Sequence, residues 1–223
     1  MASARMAKQP CLNLRAVPMT KRLGVIGAGG HGKVVADVAE RAGWPQIVFL
    51  DVRFGEGDRA HAHWPLVAVP EDAAANGCDG YFVAIGNGHV RQQWCEWLQD
   101  NGLPLVSLID PAAVVSNYVT IEAGVLIVAG AVVNVDSCLS VGAIVNTRAS
   151  VDHDCHVGPY SHICPAAALA GTVRVGAHSW LGIGSQVKQG VCIGDDVVVG
   201  AGATVVSDIS NNLTVVGTPA RSL

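Results

Sequence analysis

The segment from Asn146 to His162 holds the side chains best suited to moving a proton. It reads Asn146-Thr147-Arg148-Ala149-Ser150-Val151-Asp152-His153-Asp154-Cys155-His156-Val157-Gly158-Pro159-Tyr160-Ser161-His162, and three of the chain's eight histidines fall in its last ten residues. Histidine titrates near neutrality, so it can take up and return a proton at ordinary pH. A carboxylate beside it, here Asp154, can hold the imidazole tautomer or support the imidazolium. The His153-Asp154 pair therefore suits general-base catalysis on an incoming nucleophile. A second chemical feature is the run Gly27-Ala28-Gly29-Gly30-His31-Gly32 after the apolar Leu23-Gly24-Val25-Ile26. Glycines at a strand-to-helix turn let a pyrophosphate approach the backbone N–H groups of the helix start. Gly27, Gly29 and Gly32 satisfy GxGxxG, and Asp51 follows Gly32 by 19 residues, as a dinucleotide site would have it.

The elements that must position these groups are written in two different periods. From Ile109 to Val205 every sixth residue is aliphatic, 17 in 17, although Val, Ile and Leu fill only 31 of the 97 residues in the window. Chance placement has odds on the order of 10⁻⁸ by template counting. Two residues before each such position, from Ala113 to Ala203, stands only Ala, Val, Ser or Cys. A period of six belongs to neither a helix nor an ordinary strand but to a stacked coil of hexapeptide faces. Both registers point inward. Cys155 lies in the small inward register and reads as packing despite its histidine neighbours. His153 and Asp154 lie outside both registers and point out from the wall.

The front half alternates strands with helices. Lys33 to Ala39 has helical spacing, Gln46 to Asp51 and Gly80 to Ile85 read as strands, residues 89–101 suit a helix, and Pro104 to Ile109 reads as a last strand. This implies a small, mostly parallel, Rossmann-like α/β sheet. The organisation is an extension over residues 1–21, a nucleotide-binding unit over 22–108 and the hexad coil over 109–223. The front unit is about half the size of a full cofactor domain, which argues against a dinucleotide. His61 and His63, beside Trp64-Pro65, read as solvated loop residues.

Composition narrows the partners. The chain has 223 residues, net charge −4, no basic run and short apolar runs broken by Gly. Nucleic acid and membrane are not expected partners. Seven scattered cysteines without a CxxC pair suit a reducing, cytoplasmic setting. No secretory signal is read in the first 20 residues. Met19-Thr20-Lys21 reads as a more natural start of the chain.

Val157-Gly158, Val175-Gly176, Leu181-Gly182, Ile193-Gly194 and Val199-Gly200 resemble the hexapeptide repeat of the left-handed parallel β-helix acyltransferases. Gly27 to Val35, together with Ala84-Ile85-Gly86-Asn87, His153-Asp154 and the ending Val216-Gly217-Thr218-Pro219-Ala220-Arg221, resembles the sugar-nucleotide acetyltransferases of that superfamily over residues 22–223. The resemblance implies three hexads per triangular coil of 18 residues, with coils stacked at about 4.8 Å. It implies acetyl-CoA as co-substrate, no metal, a bacterial homotrimer, and coenzyme in the cleft between neighbouring prisms. The acceptor it implies is the 4-amino group of a nucleotide-linked 4-amino-4,6-dideoxy sugar. GDP-perosamine comes first. A UDP-sugar of the bacillosamine type comes second, because that motif carries paired acids where this chain has Asp51-Val52. A sialic-acid-type O-acetyltransferase is a further relative.

Site residues follow residue by residue. His153 is the expected base, Asp154 its support, and Gly171, one coil of 18 later, the expected oxyanion donor. Gly27, Gly29, Gly30, His31, Gly32, Asp51, Gly86, Asn87 and Asn146 are expected at the nucleotide sugar. His162 matches a family histidine near the acetyl group. Gly182, Gly184, Ser185, Gly200 and Gly202 are expected to offer open amides to the pantetheine arm, and Lys188 or Arg221 to meet its phosphates by charge. A different class remains on the same scaffold: a zinc hydratase of the β-helix carbonic anhydrase type, using His153, His162 and His178 across subunits. The HxxxxH spacing of those enzymes is absent.

Overall fold

The computed structural model describes residues 21–223; the upstream extension and the reading of Met19 as a start lie outside the described residues. β1 (Arg22–Ile26), α1 (Gly30–Arg41), β2 (Gln46–Leu50), β3 (Ala60–His61), β4 (Trp64–Ala68), β5 (Gly80–Val83) and α2 (Gly88–Asp100) build the front unit. Its sheet runs in the order β3-β4-β2-β1-β5, parallel except for the β3–β4 hairpin. β1 lies between β2 and β5, so the loops after β1 and β5 open side by side at the carboxyl edge, where such sheets bind ligands. The expected last strand is shorter than read. Only Leu108–Ile109 is strand, and Leu105 makes one bridge to Tyr81. Pro104, without an N–H, precedes that bridge.

From Leu108 to Val205 two-residue strands pair in parallel with those 18 residues away, for example Ile144 with His162 and His162 with Trp180. They form three walls of a triangular prism. The first carries Leu108, Leu126, Ile144, His162 and Trp180, the second Val114 to Thr204, and the third Thr120 to Cys192. The aliphatic register fills the interior, with Val145, Val151, Val157 and Ile163 fully buried. The small register lies beside it, and the hydroxyls of its Ser137, Ser161 and Ser179 donate to carbonyls of the next coil, as Ser161 does to Gly176 at 2.6 Å. The glycine after the aliphatic residue has a steric reason. A Cβ on Gly158 or Gly182 would lie 2.6 Å from backbone atoms of the next coil.

A third register emerges at the corners. Residues 124, 130, 136, 142, 148, 154, 160, 166, 172, 178, 184, 190, 196 and 202 all have positive φ. Glycine adopts this freely, and Asp, Asn or His with less strain than other residues. Asp154 (φ 58) and His178 (φ 55) occupy such corners, and so do Tyr160 and Thr172, for which the conformation is costly.

The front unit sits on the first wall. The outward residues Leu108, Leu126 and Ile144 share one apolar cluster with Val25, Val35 and Phe49. The next two rungs of that ladder, His162 and Trp180, lie where this cover ends.

Candidate active site

The glycine loop is shaped for close approach. Gly27 has φ 100, and a Cβ on Gly32 would lie 2.4 Å from the Gly27 carbonyl oxygen, so α1 can start there only with glycine. Gly29 and Gly30 are exposed, and a Cβ on either would touch nothing within 4 Å. Gly29 is the N-cap of α1 and has no side chain to satisfy the first-turn amides. Those N–H groups and the helix dipole make a seat for a phosphate.

Asp51 follows β2 and faces the glycine loop. Its Oδ2 accepts from Ala28 N–H at 2.7 Å and its Oδ1 from Arg53 N–H at 3.1 Å. Burial would raise its pKa, but the two amides and Arg53 outweigh that and hold it below the usual carboxylate value. Asp51 therefore anchors the loop. His61 is no solvated loop residue either. It faces Arg53 through Nδ1 at 3.2 Å and Gly29 O through Nε2 at 3.0 Å. Since Arg53 can only donate, Nδ1 accepts and Nε2–H donates to the loop carbonyl. Asn87 caps α2, its Oδ1 accepting from Val90 N–H at 3.1 Å.

A buried polar pocket lies where the front unit meets the prism. Asn146 Nδ2 is 2.9 Å from His162 Nε2, and Asn146 Oδ1 accepts from Thr147 N–H at 2.7 Å. Asn146 thus donates to Nε2 and leaves the His162 proton on Nδ1, a buried atom with no partner among the described residues. His31 stands 5.9 Å away, ring to ring, with its Nε2 equally unpartnered. Burial first, then the charge of Arg91, lowers the His31 pKa to about 4. Burial, then His31 and Arg91, lowers that of His162 to about 3. Both are neutral at neutral pH and present unused hydrogen-bonding nitrogens. Trp180 packs edge-on against His162 at 4.4 Å and is 40% exposed. Sequence reasoning missed Trp180, although it follows His162 by one coil.

His153 sits elsewhere, at the corner between the second and third walls. Its Nδ1 is 2.7 Å from Asp154 Oδ2, and Asp154 raises its pKa, helped by the charges of Asp152 and Asp154. Asp152, also missed in the sequence, accepts from His153 N–H at 2.8 Å and fixes the backbone there. A Cβ on Gly171 would lie 2.5 Å from His153 Nε2, so the glycine leaves the ring its place against the backbone. The Gly171 carbonyl accepts from Gly190 N–H, while its own N–H donates to no acceptor among the described residues. Base and open donor thus stand together.

The expected open amides are a correction. Gly182, Gly184, Ser185, Gly200 and Gly202 all donate their N–H within the prism, for instance Gly182 to Val199 O at 2.7 Å and Gly202 to Ile183 O at 2.8 Å. Parallel coils spend these groups on the ladder. Ser185 is fully buried in the small inward register, so its side chain cannot meet a ligand. Gly182 and Gly200 permit coil stacking, since a Cβ on either would clash. Gly184 and Gly202 do leave open space, at the corner between the first and second walls. Lys188 and Arg221 are exposed, Lys188 on the His153 side and Arg221 on the edge of the first wall.

Among the described residues, His89, His178 and Asp196 are the one group with the types and proximity to hold a metal ion. They lie at the corner between the third and first walls and do not include His153 or His162. His89 and His178 stack face to face at 4.1 Å, with Nε2 atoms turned to Asp196 and Gln92. Parallel rings direct their lone pairs side by side rather than to one point, so the group docks α2 on the prism.

Residues 22–98 match the PglD N-terminal domain, and residues 172–207 the bacterial transferase hexapeptide (six repeats). GDP-perosamine N-acetyltransferase of Escherichia coli O157:H7 is 30% identical over 150 residues, 64% of this chain and 67% of that one. A His-to-Asn variant of perosamine N-acetyltransferase from Caulobacter crescentus, in complex with CoA and GDP-perosamine, superposes with a TM-score of 0.86 at 38% identity, covering 92% of this chain and 97% of that chain. The chain belongs to the sugar-nucleotide N-acetyltransferases of the hexapeptide-repeat superfamily. The acetyltransferase domain of PglB from Neisseria gonorrhoeae FA1090, in complex with acetyl coenzyme A, has 40% identity and a TM-score of 0.86 over 91% of this chain and 99% of that one. Members of this family are acetyl-CoA-dependent acyltransferases, and membership decides for acyl transfer over hydration at zinc. It also assigns the prism to the left-handed β-helix fold. No helix among the described residues is long and apolar enough to cross a membrane.

Proposed function

We propose that this chain transfers acetyl from acetyl-CoA to the 4-amino group of GDP-perosamine and does so as a homotrimer. The observation that carries the reading is the chain-long likeness to perosamine N-acetyltransferases, combined with a His153–Asp154 pair whose free Nε2 faces Gly171. The amine attacks the thioester carbon, and His153 Nε2 takes the proton as the C–N bond forms. Asp154 supports the imidazolium, and the Gly171 N–H receives the developing oxyanion. Collapse breaks the C–S bond, and the imidazolium returns its proton to the leaving thiolate.

The two halves of this machinery face apart in one chain. His162 and Trp180 stand on the first wall with His31 of α1 beside them, whereas His153 sits at the corner opposite that wall. A sugar seated over the glycine loop reaches a His153 only from a neighbouring prism, which a closed three-fold ring supplies three times. Val114 and Ile183, 66% and 58% exposed, are apolar surface for such contacts.

Two measurements test the reading. With acetyl-CoA present, GDP-perosamine should be turned over, and a UDP-linked 4-amino-4,6-dideoxy sugar should have a much lower kcat/KM; the reverse order would replace the guanine assignment by uracil. Gly29→Asp puts a carboxylate at the α1 N-cap, a favoured capping residue, so Tm should hold or rise. The same charge opposes a diphosphate, and the KM for the nucleotide sugar should rise by about 100-fold, equivalent to roughly 2.7 kcal/mol. An unchanged KM would move the diphosphate off this loop.

A further inference from the structure

Arg91 has 0% exposure and no carboxylate partner among the described residues. A fully buried cation is ordinarily paired, and an apolar side chain of similar volume would often serve stability as well. Its fork is spent instead on four carbonyls. Nε donates to Gly142 O at 2.8 Å, Nη1 to Ile85 O at 2.7 Å and Gly86 O at 2.8 Å, and Nη2 to Tyr160 O. Gly142 and Tyr160 are the same corner of two successive coils, while Ile85 and Gly86 form the turn after β5.

We infer that Arg91 is a positioning residue for acetyl transfer: it clamps the Gly86 turn of the nucleotide-sugar pocket onto the prism corner and supplies a buried positive charge beside the His31–His162 pair. The inference rests on the acetyl-transfer reading. The mechanical part follows from contacts. A Cβ on Gly86 would lie 3.8 Å from the Trp180 ring, and Trp180 packs on His162, so a displaced turn moves the wall of the pocket. The electrostatic part follows from proximity, since Arg91 Nη2 donates to Tyr160 O, two residues before His162. After burial, the Arg91 charge lowers the pKa of both His31 and His162. The acceptor is an amine that arrives partly as ammonium, and two imidazolium rings would repel it. No carboxylate among the described residues forms an ion pair with Arg91. Burial raises Cys95 and Tyr160 to about 12, Glu96 and Glu122 act on Tyr160, and His178 is lowered by burial and by His89.

The test compares wild type, Arg91→Met and Arg91→Lys with acetyl-CoA and GDP-perosamine. In Arg91→Met the KM for the nucleotide sugar should rise tenfold or more, with that for acetyl-CoA within about twofold. The ring pKa values of His31 and His162, read by NMR titration of their ring protons, should rise, because both charge more readily once the cation is gone. Arg91→Lys keeps the charge but not the fork, so the two ring pKa values should stay near wild type while the sugar KM remains raised. A Tm loss with both KM values and both ring pKa values unchanged would make Arg91 purely structural and overturn the inference. If Arg91→Met does not fold, a wild-type sugar KM in Arg91→Lys overturns it just as well. Failure of the wild type itself to acetylate the sugar would strike the functional reading, not Arg91.

Discussion

His153→Asn should lower kcat by about 10²–10⁴-fold, the usual worth of a general base. It should leave the KM of the nucleotide sugar nearly unchanged, because the residues over the glycine loop that bind it are on the other side of the prism. The side chain is exposed and held by one side-chain hydrogen bond to Asp154 at 2.7 Å, so its replacement should not disturb folding. The pH profile gives a second readout. Asp154 holds the His153 pKa above its ordinary value, and the base works only when neutral. Asp154→Asn keeps a side chain that tolerates the positive φ of 58° at this corner. It removes the acceptor charge, so the His153 pKa should fall and the acid limb of kcat should move to lower pH. Activity should drop less than in His153→Asn. In His153→Asn the histidine limb should vanish, leaving the ionisation of the amine. Near wild-type kcat with an unchanged profile in His153→Asn would transfer the role of base to another group or to solvent.

The sequence carried the prism almost whole, because a period of six admits one architecture and every inward residue is repeated. Coil arithmetic reaches single residues as well: adding 18 to 153 gives Gly171, and the structure places it against the His153 ring. The same arithmetic applied to His162 would have reached Trp180. Readings failed where small residues serve two ends. Glycine in a hexad reads as open backbone, yet Gly182 and Gly200 are glycine because the next coil lies too close for a Cβ, and their amides are spent on the ladder. Gly29 and Gly30 look the same in sequence and are the open ones. Asp51 and Asn87 also hold a loop and a helix cap, contacts that depend on local turn geometry rather than on spacing and are not legible in the sequence. Arg91 gave no signal at all. A single Arg within a helical pattern reads as a solvated face, and its burial follows from α2 docking on a corner 51 residues away in sequence.

Two inactive chains should restore each other. His153→Asn lacks the base, and Gly29→Asp lacks the seat for the diphosphate, so each assayed alone at low nucleotide-sugar concentration should be nearly silent. Each lesion lies on a different side of the prism, His153 at the corner opposite the first wall and Gly29 in the unit that covers that wall. If a site takes its glycine loop from one protomer and its base from the next, co-expression in equal amounts rebuilds whole sites. Random assembly of a closed ring places an intact loop beside an intact His153 in about one quarter of sites. Recovered kcat per total site should approach that fraction, a rise of up to about a thousandfold over His153→Asn alone, given the worth of the base. A site contained within one chain predicts no recovery, because every chain in the mixture carries one lesion. Silence from a co-purified mixed trimer containing both chains would therefore place both halves of the site on one protomer and sink the shared-site mechanism, whatever the oligomeric state.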